Sequence, residues 1–232
     1  MCPQTDIDTL LAQCLSEDAD ERVAAIDELG RRGGAYAARI GPVIESLLGD
    51  PDWSVRNNAA EVIGALRYTP ARVTLERVLR DDDDATPRAS AAEALGELGD
   101  PRSGLALVAA LFDEDGPVRA YAAASLGLIG GADALPAVRR RVAVEDWPGA
   151  RIALVCAAMR LGDEGAFDAL LALTDGLDEE SEIRWYNEVD ELLRRNTPAV
   201  VIERAAEFDQ RLAARSAPTL RERLAALVAQ AG

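Results

Sequence analysis

The chain has 232 residues, with 25 basic against 41 acidic side chains and a formal net charge of -16. Every cation is an arginine, with no lysine and no histidine, which excludes a Ser-His-Asp triad, a histidine general base, a His-ligated metal and a lysine Schiff base. So acidic a chain also lacks the cations that neutralise phosphates in sequence-independent nucleic-acid binding, and charge directs it toward basic partners.

The length sets one domain, or at most two small ones. Apolar residues make up 49% but aromatics only 4%, so alanine, leucine and valine carry the core and favour close-packed helices over sheets. Cys2, Cys14 and Cys156 fall at no metal-binding or disulfide-framework spacing, and their odd number reads as reduced thiols in a cytoplasm. The segment MCPQTDIDTL has no basic leader region, and no apolar run approaches the roughly 18 residues of a membrane span. A cytoplasmic, helical protein without cofactor or metal is expected.

In chain order, one phrase recurs: DERVAAIDELG, WSVRNNAAEVIG, TPRASAAEALGELG, GPVRAYAAASLGLIG, GARIALVCAAMRLG and EIRWYNEVDELL. It centres on Arg22, Arg56, Arg88, Arg119, Arg151 and Arg184, separated by 34, 32, 31, 32 and 33 residues. Three after the arginine come Ala25, Ala59, Ala91 and Ala122; seven after it come Leu29, Ile63, Leu95 and Leu126, each followed by glycine. These positions form one stripe of a helix with a single buried face. Between the arginine helices lie second amphipathic stretches, GPVIESLLG, ARVTLERVLR, SGLALVAALF, ALPAVRRRVAV and EGAFDALLALT, set off by Asp-Pro, Asp-Gly and Gly-Gly breakers.

A two-helix unit of this length cannot bury its stripe alone, so the units stack. The expected fold is all-α: a single-domain α-solenoid over 1–232, a right-handed superhelix of about seven hairpins near 5–32, 35–67, 70–98, 101–129, 132–161, 164–195 and 197–231. The last segment, APTLRERLAALVAQAG, reads as a cap.

The phrase Asp-x-x-Val-Arg-x-x-Ala-x-x-x-Leu-Gly, seen as DWSVRNNAAEVIG and DGPVRAYAAASLG, resembles the HEAT repeat, in particular the short form of phycobilisome-lyase-type HEAT proteins. The resemblance covers nearly the whole chain and implies the solenoid, with the arginine helices lining its concave side. It also implies an Asp-Arg ladder, whose members here are the six arginines with Asp18, Asp52, Asp84, Asp115 and Glu180, each four residues before its arginine. Repeat five has Asp146 one residue earlier. Such acids can cap the helix start and accept from the arginine fork of the same or an adjacent layer.

Function is sought on the exposed side, one and five residues after each arginine. Asp27, Asn57, Glu61 and Glu93 make the first half acidic. Ala120 and Ala124, then Ile152 and Cys156, then Trp185 and Val189, make the second half apolar. Repeat six, with Trp185, Tyr186, Asn187 and Glu188, departs furthest; Trp185 is either a groove anchor or the core residue of a rotated helix, and Tyr121 either lines the groove or packs between repeats. The run Asp81 to Asp84 and the loop Asp178 to Glu180 read as solvated turns. Arg139, Arg140 and Arg141 read as a coat on the convex face, Trp53 and Trp147 as packing at helix starts, and DEDG at 113–116 lacks the closing glutamate of a calcium loop.

The leading reading is a non-catalytic scaffold or chaperone-like module whose groove holds a basic, amphipathic segment of a partner protein. The resemblance implies an alternative, since phycobilisome-lyase-type HEAT proteins attach or detach bilins on thiols, usually as two-chain assemblies. A third reading is the immunity partner of a bacterial toxin. HEAT-like alkylpurine DNA glycosylases use a basic groove, and deoxyhypusine hydroxylases need His-Glu motifs that this chain lacks.

Overall fold

The computed structural model describes residues 6–173, 179–195, 197–215 and 217–231; Cys2, Asp178 and the side chain of Glu180 lie outside the described set. It contains α-helices and short 3-10 turns and, among the described residues, no strand. The chain divides into two compact units, Met1–Ala110 and Leu111–Gly232.

The first unit contains α1 (Ile7–Gln13), α2 (Ala19–Arg32), α3 (Ala37–Leu47), α4 (Trp53–Ala65), α5 (Arg72–Asp81), α6 (Ala85–Leu98) and α7 (Gly104–Ala110). Helix α4 packs on α2, α3 and α6, while α5 packs on α6 and α7. The second contains α8 (Gly116–Ile129), α9 (Leu135–Val142), α10 (Pro148–Arg160), α11 (Ala166–Ala172) and α12 (Glu179–Arg194), then α13 (Ala199–Glu203), α14 (Ala205–Ala214) and α15 (Pro218–Ala231). The segment expected as a seventh hairpin therefore holds three helices.

The recurring alanines and branched residues do what their spacing implies. Ala25, Ala59, Ala91 and Ala122, with Leu29, Ile63, Leu95 and Leu126, are at most 2% exposed, and burying each leucine or isoleucine contributes about 1.5 to 3 kcal/mol. Helices start where acids cap them. The Asp18 carboxylate accepts from the N–H groups of Asp20 and Glu21, that of Asp52 from Ser54, and that of Asp115 from Val118. After α6 the chain turns at Gly99, whose φ of 69° suits a residue without Cβ.

The arginines clamp the layers through a different acid from the one expected. In each case Nη1 donates to the backbone carbonyls six and five residues earlier: Ser16 and Glu17 for Arg22, Asp50 and Pro51 for Arg56, Asp82 and Asp83 for Arg88, Asp113 and Glu114 for Arg119. The other edge reaches the following layer. Arg22 donates to Asp50 at 2.7 Å, Arg56 to Asp82 at 2.7 and 2.8 Å, and Arg119 to Glu145 at 2.8 and 2.7 Å. These receiving acids stand two residues before the capping position, a separation that lets each also accept the N–H of the residue at that position. Of the acids expected in the ladder, Asp84 meets an arginine of the preceding layer, Arg56, at 2.9 Å, and Asp146 lies 3.7 Å from Arg119; the Asp84 side chain makes no cap bond. Asp82, expected in a solvated turn, has a side chain only 5% exposed. Beyond Arg119, Arg151 is exposed, with Asp178 and the Glu180 side chain of the following layer outside the described residues, and Arg184 takes another course, described below.

Glu145 shows the energetics. Burial alone would raise its carboxyl, but hydrogen bonds from Arg119, Arg141 and the Trp147 N–H, with the charge of Arg119, outweigh burial and hold it at about 2. A depressed folded value means that this stabilisation is present above the ordinary carboxylate range and is lost as pH falls toward 2. Arg119 and Glu145 have side chains 6% and 0% exposed, and removing one member of a buried pair costs about 3 kcal/mol. Arg119→Ala should therefore lower the melting temperature by several degrees at neutral pH, read by circular dichroism; an unchanged melt would contradict the clamp.

Candidate functional site

In the first unit, the arginine helices α2, α4 and α6 carry a polar chain of side chains. Asn58 donates to Asp27 at 2.7 Å, Asn57 donates to Glu61 at 3.0 Å, and the Ser90 hydroxyl donates to Asn57 at 2.7 Å. Beside them a pocket of about 260 Å³ is lined by Glu61, Ala65, Ser90, Glu93, Ala94 and Glu97. Glu61 and Glu93 are exposed, and Asp27 and Asn57 half-buried. The structure thus places Asn57, Glu61 and Glu93 together and links Asp27 through Asn58. Asn58, Ser90 and Glu97 were not singled out from the sequence, although Glu97 stands nine after Arg88, one turn beyond the five-after position. Its carboxylate lies over α4 where Gly64 leaves space; a Cβ there would be 2.7 Å from Oε2. Among the described residues no arginine forms an ion pair with Asp27, Glu61 or Glu97.

The second unit corrects the expected apolar half. Ile152, Cys156 and Val189 are 0% exposed, Trp185 is 1% and Glu188 8%, so none of them lines a groove; Tyr121 and Ala124 are half-buried. The cause in α10 is that ten of its 13 residues are buried, between α8, α9, α11 and α12, as befits a helix apolar all round. The cause in α12 is rotation. Its core stripe runs through Trp185, Val189, Leu192 and Leu193, while Ile183 is 59% exposed. In α4 and α8 the position of Ile183, one before the arginine, is held by Val55 and Val118 at 0%. Asn187 replaces the buried alanine, and an amide without partners is costly to bury; turning α12 buries the indole and leaves Asn187 exposed.

That rotation takes Arg184 out of ladder geometry. Its guanidinium lies 5.2 Å from the Tyr121 ring centre and 5.6 Å from that of Trp147, and its Nη1 is 3.5 Å from Oε1 of Glu188. Trp147 occupies the cap position that other repeats give to an acid, and its ring rests where Gly116 and Gly149 carry no side chain; a Cβ would come within 2.7 and 2.6 Å of it. The expected packing of Trp147 at a helix start is thus a cradle of two glycines, whereas Trp53 is 49% exposed. Of the Arg139–Arg141 run, Arg139 pairs with Asp163 and Arg141 with Glu145.

Titration in this layer is set by burial. The Glu188 carboxyl is pushed up by burial, partly offset by the charges of Arg184 and Arg160 and reinforced by Glu191. Burial, then the Glu188 charge, pushes the Cys156 thiol up against the opposing charge of Arg160, and burial takes Cys14 to about 11. Neither buried thiol is a ready nucleophile. Among the described residues no three His, Cys, Asp or Glu side chains converge to hold a metal, and no helix is long and apolar enough to cross a membrane.

Helical layers clamped by an arginine repeated at about 32 residues define an all-α solenoid class of repeat protein. The chain belongs to the HEAT-repeat family: the family model of HEAT repeats matches residues 7–96 and 104–185, and that of the PBS lyase HEAT-like repeat matches residues 87–113. Among solved structures it is similar to a chain in the complex of CpcE and CpcF of phycocyanin lyase from Nostoc sp. PCC7120, at 20% identity and a TM-score of 0.70 over 96% of both chains. It is also similar to an engineered protein, at 18% identity and a TM-score of 0.51 over 96% of this chain and 98% of that one. No curated protein matches it. At these identities the likeness is one of fold.

Two measurements check the second unit. Gly149→Ala should displace the indole of Trp147 and change the tryptophan emission, with a lower melting temperature; an unaltered spectrum would refute the cradle. Because the Glu188 value is raised on folding, its stabilising contribution is present below the ordinary carboxylate range and is lost as pH rises through the folded value. Glu188→Gln should therefore melt higher than the parent at about pH 8 and alike at about pH 4.

Proposed function

We propose that the chain is a non-catalytic protein-binding scaffold, and that the face of α2, α4 and α6 in its first unit holds a basic, amphipathic segment of a partner protein. The supporting observation is the set of carboxylates Asp27, Glu61 and Glu97 that share this face without an ion pair among the described residues, next to the pocket of Glu61 and Glu93. Carboxylates left uncompensated on a fold of stacked helices attract cations and steer an encounter. The apolar contacts once expected from Ile152, Cys156, Trp185 and Val189 are no part of this reading; Ala65 and Ala94 supply apolar surface within the pocket itself.

A labelled amphipathic helix carrying arginines on one side and leucines on the other tests it by fluorescence anisotropy. Glu61→Arg with Glu93→Arg should weaken binding by at least about tenfold, equivalent to about 1.4 kcal/mol, and added salt should weaken the parent likewise. Trp185→Ala should lower stability instead of affinity. Binding indifferent to the double reversal would overturn the reading.

The likeness in fold to the phycocyanin lyase complex, together with the PBS lyase HEAT-like repeat over 87–113, favours a second reading: one subunit, or an accessory, of a lyase-type assembly. Incubation with bilins, followed by absorbance of the re-purified protein, separates the two. A bound chromophore supports the lyase-type role; a colourless protein that still binds the basic helix supports the scaffold.

A further inference from the structure

Two of the arginines outside the ladder in the layer of α8, α10 and α12 stand apart from the rest. The first, Arg184, is laid against the rings of Tyr121 and Trp147, and its one hydrogen bond among the described residues is the long 3.5 Å contact with Glu188. Stacking on rings shields the faces of a guanidinium and leaves its in-plane N–H groups for an oxyanion. The second, Arg160, runs its stem over α8 where Gly127 leaves room, its Cδ 3.2 Å from where a Cβ would be. Its Nε and Nη2 are buried and have no hydrogen-bond partner.

The Nε–Nη2 edge has a settled use elsewhere in the chain. In Arg56, Arg119 and Arg221 it grips the two oxygens of a single carboxylate, at 2.7 to 2.9 Å. Arg160 holds the same edge out of water with no carboxylate on it, and a buried donor without an acceptor is costly. Both guanidinium groups act on the buried carboxyl of Glu188, and burial favours its neutral form.

We propose that Arg160 and Arg184 form a carboxylate-binding site, flanked by the rings of Tyr121 and Trp147. One carboxylate takes the Nε–Nη2 edge of Arg160, and Arg184 receives a second acidic group of the same ligand. The Arg184 side chain, 21% exposed, marks the side of entry. The site uses none of the acids assigned to the partner-binding face of the first unit and stands or falls apart from that function.

Thermal unfolding of the full chain in succinate, against sodium chloride of equal ionic strength, tests the site for a small diacid; anisotropy with labelled hexaglutamate tests it for acidic side chains of a protein segment. At least one probe should bind, and Arg160→Met and Arg184→Met, which keep the stems, should each weaken it by about tenfold or more. Arg160→Lys, which keeps the charge but not the two-donor edge, should do the same and serves if the methionine variant does not fold. A succinate response assigns a small molecule as the ligand, and a response to hexaglutamate alone assigns a protein segment. No response to either probe, or a response that the variants retain, overturns the proposal.

Discussion

The architecture rests on one two-sided contact made by a planar cation. The guanidinium of Arg56 binds the carbonyls of Asp50 and Pro51 through Nη1 and the Asp82 carboxylate of the next layer through Nε and Nη2; Arg119 repeats the arrangement with Glu145. Two loops are held at a fixed distance by one rigid group. An ammonium offers no such pair of edges, which gives a physical sense to a chain with 25 basic residues and no lysine.

Around that clamp the two units put the arginine helices to different uses. In the first, the side away from the core keeps its acids and amides, joined by Asn57, Asn58 and Ser90. In the second, α10 is enclosed on nearly every side and α12 is turned about its axis. The turn exchanges a ladder arginine for one stacked on aromatic rings. A register position that carries charge in one repeat therefore carries core in another, without any change in the helical period.

Much of the fold was legible in the sequence because period and capping are local. The interval between arginines located the helices through α12, and Asp18, Asp52 and Asp115 stand at their starts as caps. What could not be read depends on neighbours. Asp50, Asp82 and Glu145 recur near the arginine's own interval, yet only the stacking of layers shows that the fork reaches them and passes over the capping acids. The burial of Cys156 and Val189 follows from enclosure by several helices, which a single helical wheel does not contain. Arg160 and Glu97 share a register position, nine after the arginine, one turn beyond the positions compared, and so escaped notice.

Asp50 and Asp82 each serve two layers at once: the carboxylate holds the arginine before, and the carbonyl of the same residue holds the arginine after. Opening one layer thus loosens a grip on both sides, which is the nearest-neighbour coupling that makes stacked repeats unfold together. Among the described residues, neither the exposed Arg151 nor the diverted Arg184 makes this two-sided contact. The carboxyl-terminal helices are joined by packing and by exposed or half-buried ion pairs, Arg204–Asp168, Arg215–Glu182 and Arg223–Asp190, which are weaker than a buried clamp, so this stretch can fray first.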